Sequence, residues 1–226
     1  ASDGANGVIV SWLDSRSGLV DVYAQRVNAS GVVQWAANGV LACGAADNQD
    51  NLRITSDGSG GAIMAWTDLR SGTQYDIYAQ RVNSAGVMQW AVDGVPLTSL
   101  PTNQFVPRIL PDLAGGSSIA WTDTRNSNND IYAQRLDGNG NPLWATNGVA
   151  ISSATNGQDI ITVTSDGSSG MILFWEDARG SNLDIYTQRI PASGSLCFTP
   201  TTPGTISGST SVVPGSNQVY SVFNDP

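Results

Sequence analysis

Asp, Arg and Trp are the side chains that could carry chemistry in this chain, and they recur in four copies of one pattern. The pattern reads Trp-x-Asp-x-Arg and then Asp-x-Tyr-x-Gln-Arg; its second copy contains Trp66, Asp68, Arg70, Asp76 and Arg81. A carboxylate beside a guanidinium can form a two-pronged ion pair. Two carboxylates a few ångströms apart could instead act as acid and base on a glycosidic bond.

The Asp and Arg positions keep their residue types in all four copies. Because an active site in a repeat protein normally breaks the repeat symmetry, we interpret these residues as an internal network of ion pairs and turn caps. Four equivalent sites for a polar or glycan ligand are the alternative. The predicted network consists of Asp14, Arg16, Asp21, Arg26, Asp68, Arg70, Asp76, Arg81, Asp123, Arg125, Asp130, Arg135, Asp177, Arg179, Asp184 and Arg189.

The tryptophans form two series. The first series lies in a segment that is apolar throughout, and it is predicted to be core: Trp12, Trp66, Trp121 and Trp175. The second series lies later in each copy, where a core or edge-covering position is favoured. Exposed aromatic rings at these positions could stack on sugars, which makes three residues possible ligand-stacking residues: Trp35, Trp90 and Trp144.

Catalytic and metal chemistry has little support in the sequence. The chain has no His, so it lacks the commonest general base and a usual zinc ligand. Glu176 and Asp177 form an asymmetric acidic pair, but adjacent residues of a strand point to opposite faces. Asp137 begins a segment resembling a calcium loop, but the later acidic ligand is absent. We therefore expect no catalytic residue, no metal and no cofactor.

The charge of the chain limits its partners. The formal net charge is −9, and all ten cationic side chains are Arg. Eight of these arginines occupy repeat positions, so the sequence predicts no basic surface for nucleic acid or for an anionic membrane. There is no apolar run of 18 residues, so membrane insertion is not expected. Cys43 and Cys197 are either two buried thiols or one disulfide.

The repeat has a period of ~54 residues, marked by the first tryptophan series. In the second copy, the apolar segments and turns predict four short strands: strand a at Asn51–Thr55, strand b at Ala62–Asp68, strand c at Asp76–Val82 and strand d at Val87–Trp90. Tight turns join consecutive strands, because Asp and Gly favour such reversals. Each repeat is therefore predicted to be a four-stranded antiparallel meander.

Strand b is apolar on both faces, so each meander must be covered on both sides. Stacking meanders radially satisfies this requirement, and the sequence predicts an all-β fold, a β-propeller built from four tandem repeats. Strand a is missing from the first repeat. We expect it to come from upstream sequence, from another chain, or from Gln218–Phe223, which has strand-like alternation.

The composition divides the chain into three parts. Residues 1–198 contain the four-repeat propeller-like domain, and 199–204 form a Pro/Thr-rich linker. Residues 205–226 are either a partial PKD-like or Ig-like segment or a ring-closing strand. Since the chain begins inside a repeat, we expect further sequence upstream.

The full frame is Asp-Gly-x-x-Gly, Trp-x-Asp-x-Arg, Asp-Ile-Tyr-Ala-Gln-Arg, Gly, Trp and Asn-Gly-Val. It resembles tandem repeats of large secreted multidomain proteins of Bacteroidetes type, which often carry PKD-like modules. The resemblance covers residues 1–198; it implies a propeller-like fold and an exported protein, and it implies no established chemistry. The Asp-box of sialidase-type propellers is not matched, because the spacing from Ser56-Asp57-Gly58 to Trp66 is wrong.

The sequence favours a non-catalytic domain of a secreted or cell-surface protein, which serves as a structural or binding module in adhesion or assembly. Its expected partners are other protein chains or copies of itself, and possible ligands are glycans. A lectin-like, carbohydrate-binding propeller is one alternative, and a propeller of glycoside hydrolase type is the other.

Overall fold

The computed structural model describes residues 1–180, 182–196 and 220–222, which form four antiparallel sheets. The first sheet has three strands in chain order: β1 (Val8–Asp14), β2 (Asp21–Val27) and β3 (Val40–Cys43). The second has four: β4 (Gln49–Ser56), β5 (Ala62–Asp68), β6 (Asp76–Val82) and β7 (Val95–Pro96). The fold is therefore all-β, as the sequence predicted.

The third and fourth sheets repeat this order. The third contains β8 (Gln104–Pro111), β9 (Ser117–Asp123), β10 (Asp130–Leu136) and β11 (Val149–Ser152). The fourth contains β12 (Gln158–Ser165), β13 (Met171–Asp177), β14 (Asp184–Ile190) and β15 (Tyr220–Val222). The described part of the chain contains no helix, and hence none that could cross a membrane.

Strands a, b and c lie where the sequence predicted them, but the prediction for strand d is wrong. Val87–Trp90 is not a strand, although Met88 makes one isolated bridge to Val82. The reason is Gln80, whose side-chain oxygen accepts the backbone N–H of Trp90 at 3.0 Å and replaces the strand ladder there. The chain then turns through Gly94, where φ is +91°, and forms the short outer strand β7.

Of the tail segment Gln218–Phe223, a candidate for the missing first strand, the structure describes residues 220–222. Tyr220–Val222 pairs with β14, with Val222 opposite Ile185, and forms the outer strand of the fourth sheet. The first sheet remains three-stranded. The 199–204 linker and the rest of the 205–226 segment lie outside the described residues.

The core consists of three clusters, each between consecutive sheets. We call the face that contacts the preceding sheet the backward face and the opposite one the forward face. On the second sheet, Met64 and Trp66 of the backward face pack on Ile9 of the first sheet, and Ile63 of the forward face packs against Trp121 of the third. The third and fourth sheets pack in the same way. Among the described residues, no core cluster joins the fourth sheet to the first.

Candidate functional site

The Trp-x-Asp-x-Arg motif folds into a compact polar cluster at the ends of the equivalent strands β1, β5, β9 and β13. In the second sheet, buried Asp68 accepts hydrogen bonds from Trp66 Nε1 at 2.7 Å and from Arg70 Nε and Nη2 at 2.8 and 2.7 Å. The backbone N–H of Arg70 donates to the same carboxylate at 2.9 Å. Both carboxylate oxygens are thus engaged within the sheet.

The arginine of the motif also ties its sheet together. Arg70 lies over the ring of Tyr78, 3.6 Å from its centroid, and donates to the carbonyl of Asp93 at 2.8 Å. Cation–π contact and the ion pair together fix the guanidinium. The same arrangement recurs in the other sheets, with the pairs Arg16–Asp14, Arg125–Asp123 and Arg179–Asp177.

These contacts change the pKa values of the carboxyl groups. The hydrogen bond from Arg16, reinforced by one from Trp12, lowers the pKa of Asp14. Burial alone would raise the pKa of Asp177, but the hydrogen bonds from Arg179 and Trp175 outweigh it and hold the pKa below its ordinary value. Both carboxylates are therefore ionised at neutral pH, as bracing requires.

A second series of ion pairs uses the arginine of the Gln-Arg motif. Arg81 Nη2 contacts the carboxylate of Asp57 at 2.8 Å, and Asp57 also caps its own tight turn by accepting the backbone N–H of Gly61 at 2.8 Å. The equivalent pairs are Arg26–Asp3, Arg135–Asp112 and Arg189–Asp166. The predicted network did not include these four turn aspartates. Their constant position, 23 or 24 residues before the arginine, was the available signal.

The aspartates of the Asp-x-Tyr-x-Gln-Arg motif form a third series, which does not take part in the predicted ion pairs. Asp76 lies directly across the strand pair from Asp68, and Asp130 likewise faces Asp123. Asp76 accepts a hydrogen bond from Thr98 Oγ1 at 3.3 Å, and burial raises the pKa of both Asp76 and Asp130. No ion pair in the described part of the chain includes a member of this series: Asp21, Asp76, Asp130 and Asp184.

The second tryptophan series joins each sheet to the next. Trp90 Nε1 and Arg81 Nη1 both donate to the carbonyl of Gly138 in the third sheet, at 3.1 and 2.9 Å. The indole lies against Gly140, where an added Cβ would be 2.8 Å from the ring. We call this arrangement the Trp–Arg clamp. Two further clamps join Trp35 and Arg26 to Ser84, and Trp144 and Arg135 to Ala192.

The clamp leaves Trp35 and Trp90 without an open ring face that could stack on a sugar. Trp35 and Trp90 are each 9% exposed. Stacking on a sugar requires an open ring face, and at these two positions the rings are buried against the next sheet. Their position is thus the core or edge-covering one that the sequence favoured, and they offer no open platform to a ligand.

Cys43 lies at the contact between the first and second sheets. It is buried and carries a free thiol, with Arg70 Nη2 at 3.4 Å from its sulfur. Burial raises the pKa of the thiol to about 12, so it is protonated and a poor nucleophile at neutral pH. Its possible disulfide partner, Cys197, lies outside the described residues.

The acidic pair considered for catalysis is separated by the pleat of the strand. Asp177 is buried and engaged by Arg179 and Trp175, whereas Glu176 is exposed on the forward face. Among the described residues, no group of three or more His, Cys, Asp or Glu side chains is arranged to hold a metal ion. The carboxylates of the two ion-pair series are occupied by structural contacts.

Two clefts open between the second and third sheets. The larger, about 470 Å³, is lined by the Asp57-Gly58 turn of the second sheet and the 113–116 turn of the third, and the carboxylate of Asp57 there is already paired with Arg81. The smaller, about 330 Å³, we call the aromatic cleft. Its lining residues are Asp50, Asn51, Thr67, Tyr75, Asn103, Phe105 and Val106.

Sequence reasoning did not single out the aromatic cleft. Tyr75 occupies a position where the other copies carry Val20, Asn129 and Leu183. Phe105 stands where the second and fourth sheets have an aspartate. These departures from the repeat were the available signal, but only the packing of two sheets brings the two rings into one cleft.

Comparisons with known proteins give limited information. No family model and no curated protein matches the chain. One similar solved structure is the alpha-L-arabinofuranosidase Arb93A from Fusarium graminearum, with 10% identity, a TM-score of 0.47, and coverage of 80% of this chain and 58% of that one. Another is an N-acetylgalactosamine deacetylase from F. plautii, with 8% identity, a TM-score of 0.44, and coverage of 88% and 66%. The chain spans less than two thirds of each.

Proposed function

We propose that this chain is a non-catalytic structural and assembly module of a secreted or cell-surface protein, with four tandem propeller blades as its scaffold. The repeated arginines and two of the three aspartate series support this proposal because they are engaged in ion pairs, turn caps and clamps. The proposed location rests on the resemblance of the repeat frame to exported repeat proteins. The assembly role rests on the uncovered face of the first sheet.

The backward face of the first sheet is apolar and open. Val10 is 42% exposed, whereas the residues at the same position in the second, third and fourth sheets, Met64, Ile119 and Leu173, are fully buried. Val8 is exposed beside it. In the other three sheets the forward face of a preceding repeat covers this position. The surface that fits here is therefore the forward face of another repeat.

The first sheet also has the acceptor turn of a Trp–Arg clamp, and the tryptophans and arginines of the three described clamps donate to turns of the other sheets. Gly31 has φ of +79° like Gly86 and Gly140, yet nothing lies within 4 Å of its ideal Cβ position, whereas Gly86 meets Trp35 at 2.8 Å. Ala29, which corresponds to Ser84, is exposed, and its carbonyl accepts no hydrogen bond from the described residues. The turn has the shape of an acceptor for a neighbouring sheet.

A second copy of this chain supplies an apolar surface for this face, although its fourth repeat has Phe198 in place of the clamp tryptophan. The forward face of its fourth sheet contains Ile172, Phe174 and Ile185, which are half-buried, whereas the corresponding Ile63 and Ile77 of the second sheet are fully buried. Head-to-tail docking of the fourth sheet on the first would bury both faces. Glu176 opposes this contact, because buried Thr67 and Thr122 occupy its position in the covered sheets.

The test is the mass of the chain in solution. We expect light scattering to give masses above the 23.6 kDa monomer that rise with concentration. Val10→Asp and Phe174→Arg should each prevent growth beyond the monomer, since each introduces a charge on one of the two faces. An equimolar mixture of the two variants should form a dimer, because one unaltered face of each kind remains. Glu176→Thr should strengthen association.

Val92→Asp is the matched control, because Val92 is exposed on a loop outside both faces. It should associate as the unaltered chain does. A chain that stays monomeric at all concentrations, or a mixture that forms no dimer, would contradict the assembly proposal. Circular dichroism of each variant excludes misfolding as the cause. Hydrolysis of a glycoside panel, abolished by a single carboxylate substitution, would contradict the non-catalytic part.

A further inference from the structure

The aromatic cleft contains two residues that depart from the repeat, Tyr75 and Phe105. The network and clamp residues are repeated and engaged with one another, whereas Tyr75 and Phe105 are aromatic in one copy each. Tyr75 is 38% exposed, which is unusual for an aromatic side chain without a repeat role. In a repeat scaffold, residues that depart from the repeat and meet in one cleft are candidates for binding a ligand.

The cleft also contains a buried polar atom without a partner. The hydroxyl of Thr67 is buried and makes no hydrogen bond to any other described protein atom. Leaving such a group unpaired costs about 1–3 kcal/mol. Thr67 lines the cleft and lies directly across the strand pair from Asp50, whose carboxylate is at the exposed edge. A ligand hydroxyl in the cleft would satisfy the threonine and meet the carboxylate.

The backbone of the cleft is strained on both sides. Asn51 and Val106 have φ of +52° and +56°, at the bulges of β4 and β8. Asn tolerates this conformation, but for a β-branched residue such as Val it is an outlier that costs about 1–3 kcal/mol. Bulges and strained residues concentrate next to binding sites, where they re-aim side chains.

Hydrogen bonds between the two sheets hold the cleft in shape. Asn103 Oδ1 accepts the backbone N–H of Tyr75 at 3.1 Å, and the backbone N–H of Gln104 donates to the carbonyl of Tyr75 at 2.8 Å. The loop that carries Tyr75 is thus fixed to the third sheet. A preformed site reduces the entropy lost when a ligand binds.

We propose that the aromatic cleft is a binding site for a neutral carbohydrate unit. The rings of Tyr75 and Phe105 provide apolar surface for the face of a sugar ring, and Asp50 and Thr67 provide acceptors and a donor for its hydroxyl groups. The volume of about 330 Å³ lies at the lower end of the range for small-ligand sites, which suits one small unit. The exposed carboxylate of Asp50 and the net charge of −9 disfavour acidic sugars. This proposal is independent of the assembly proposal.

The test begins with a glycan microarray of neutral and acidic glycans, followed by calorimetric titration of the monomeric Val10→Asp chain with the strongest neutral glycan. Tyr75→Asn introduces the type of residue that the third repeat carries at this position, as Asn129. It should weaken binding about tenfold or more, because the stacking surface is removed. Leu183→Asn alters the corresponding position of the fourth repeat, far from the cleft in sequence, and should leave the affinity unchanged.

Thr67→Val separates ligand binding from stability, because loss of a hydroxyl with a purely structural role would lower both. Removal of an unpaired buried hydroxyl with its shape retained should leave the melting temperature equal or higher. The same variant should bind the glycan about tenfold more weakly, because the ligand loses its hydrogen bond. Absence of neutral-glycan binding by the chain, or binding that Tyr75→Asn and Thr67→Val leave unchanged, would overturn the proposal.

Discussion

At the scale of single residues, aspartate has three structural roles, which depend on its hydrogen-bonding or ion-pair partner. Asp68 forms a bidentate pair with Arg70, and Asp57 caps a turn while it pairs with Arg81. Asp76, across the sheet from Asp68, is buried with a hydroxyl partner and a raised pKa. The consequence of a substitution therefore depends on which series it touches.

Arg70→Met tests the bracing role of the Trp-x-Asp-x-Arg cluster. It leaves the buried carboxylate of Asp68 without its counter-charge, so we expect a loss of about 3 kcal/mol in the free energy of unfolding, measured with urea. The double variant Asp68→Asn with Arg70→Met should recover part of this loss, because the uncompensated charge is removed as well.

Arg16→Met is the matched control for Arg70→Met. The Arg16 side chain is 40% exposed, against 22% for Arg70, and exposed pairs contribute about 1 kcal/mol or less. We expect the smaller effect at Arg16. An unchanged urea midpoint for Arg70→Met would contradict the bracing role.

Asp76→Asn should increase stability at neutral pH. Burial raises the pKa of Asp76 in the folded chain, so ionisation of this group penalises folding above that pKa, and the penalty disappears as the pH falls towards the ordinary value of 3.8. The asparagine variant carries no such penalty. Its advantage in urea unfolding should be largest at pH 7 and should vanish near pH 4; an advantage independent of pH would contradict this account.

Asp177→Asn should show the opposite sign. The pKa of Asp177 is lowered in the folded chain, so its contribution to stability is present above the ordinary pKa and is lost as the pH falls through the folded value. The variant should be less stable at pH 7, and the difference should narrow below about pH 4. Urea unfolding across the same pH series measures both variants.

At the scale of elements, the Trp–Arg clamp is the unit that joins one sheet to the next. Its donors come from strand β6 and the segment after it, and its acceptor is a turn in the following sheet. A glycine is required in that turn, because its φ is positive and because the indole lies against its Cα. The turn is therefore shaped by the neighbouring sheet as well as by its own hairpin.

Gly86→Ala and Gly31→Ala separate these two requirements. Both glycines have positive φ, so both changes carry a backbone cost of about 1–2 kcal/mol. Only at Gly86 does the new methyl group meet a ring, that of Trp35 at 2.8 Å. We expect Gly86→Ala to lose at least about 1 kcal/mol more than Gly31→Ala in urea unfolding at a low protein concentration, where the chain is monomeric. Equal losses in the free energy of unfolding would contradict a close contact between Gly86 and the ring of Trp35.

At the scale of the whole molecule, the described sheets form a row of three interfaces, each with its own apolar cluster. In such an array, stability is approximately a sum of repeat and interface contributions, and the ends open most easily. A sheet at the end of the row is covered on one face only. The two outer interfaces should therefore open before the central one.

Cysteine labelling can measure this order. Cys43, Thr98 and Ser152 are buried at equivalent positions of the first three sheets. In a background without Cys43 and Cys197, single cysteines at positions 43, 98 and 152 can be exposed to a thiol reagent in rising urea at low protein concentration. We expect position 98 to remain protected to the highest urea concentration. Equal protection at all three positions would contradict the independent opening of the outer interfaces.

Some features followed from the local pattern of the sequence. The all-β class, the four repeats and strands such as Ala62–Asp68 were predictable, because apolar alternation and Asp-Gly turns act within one repeat. The outer strand was misassigned at Val87–Trp90, because the side chain of Gln80 replaces a backbone ladder there. Hydrophobic periodicity does not show where a side chain takes the place of a backbone hydrogen bond.

The repetition of Asp, Arg and Trp and the division of each repeat into short antiparallel strands were predictable from the residue pattern. The packing of the sheets was needed to show that Trp90 is covered by the next sheet and that Tyr75 and Phe105 share a cleft, and the strand arrangement to show that Arg81 meets Asp57. The physical reason is that turns and strand pairing depend on residues close in the chain. Clamps and clefts depend on how one sheet lies against another, and the pairing of Arg81 with Asp57 depends on how the strands of one sheet are arranged.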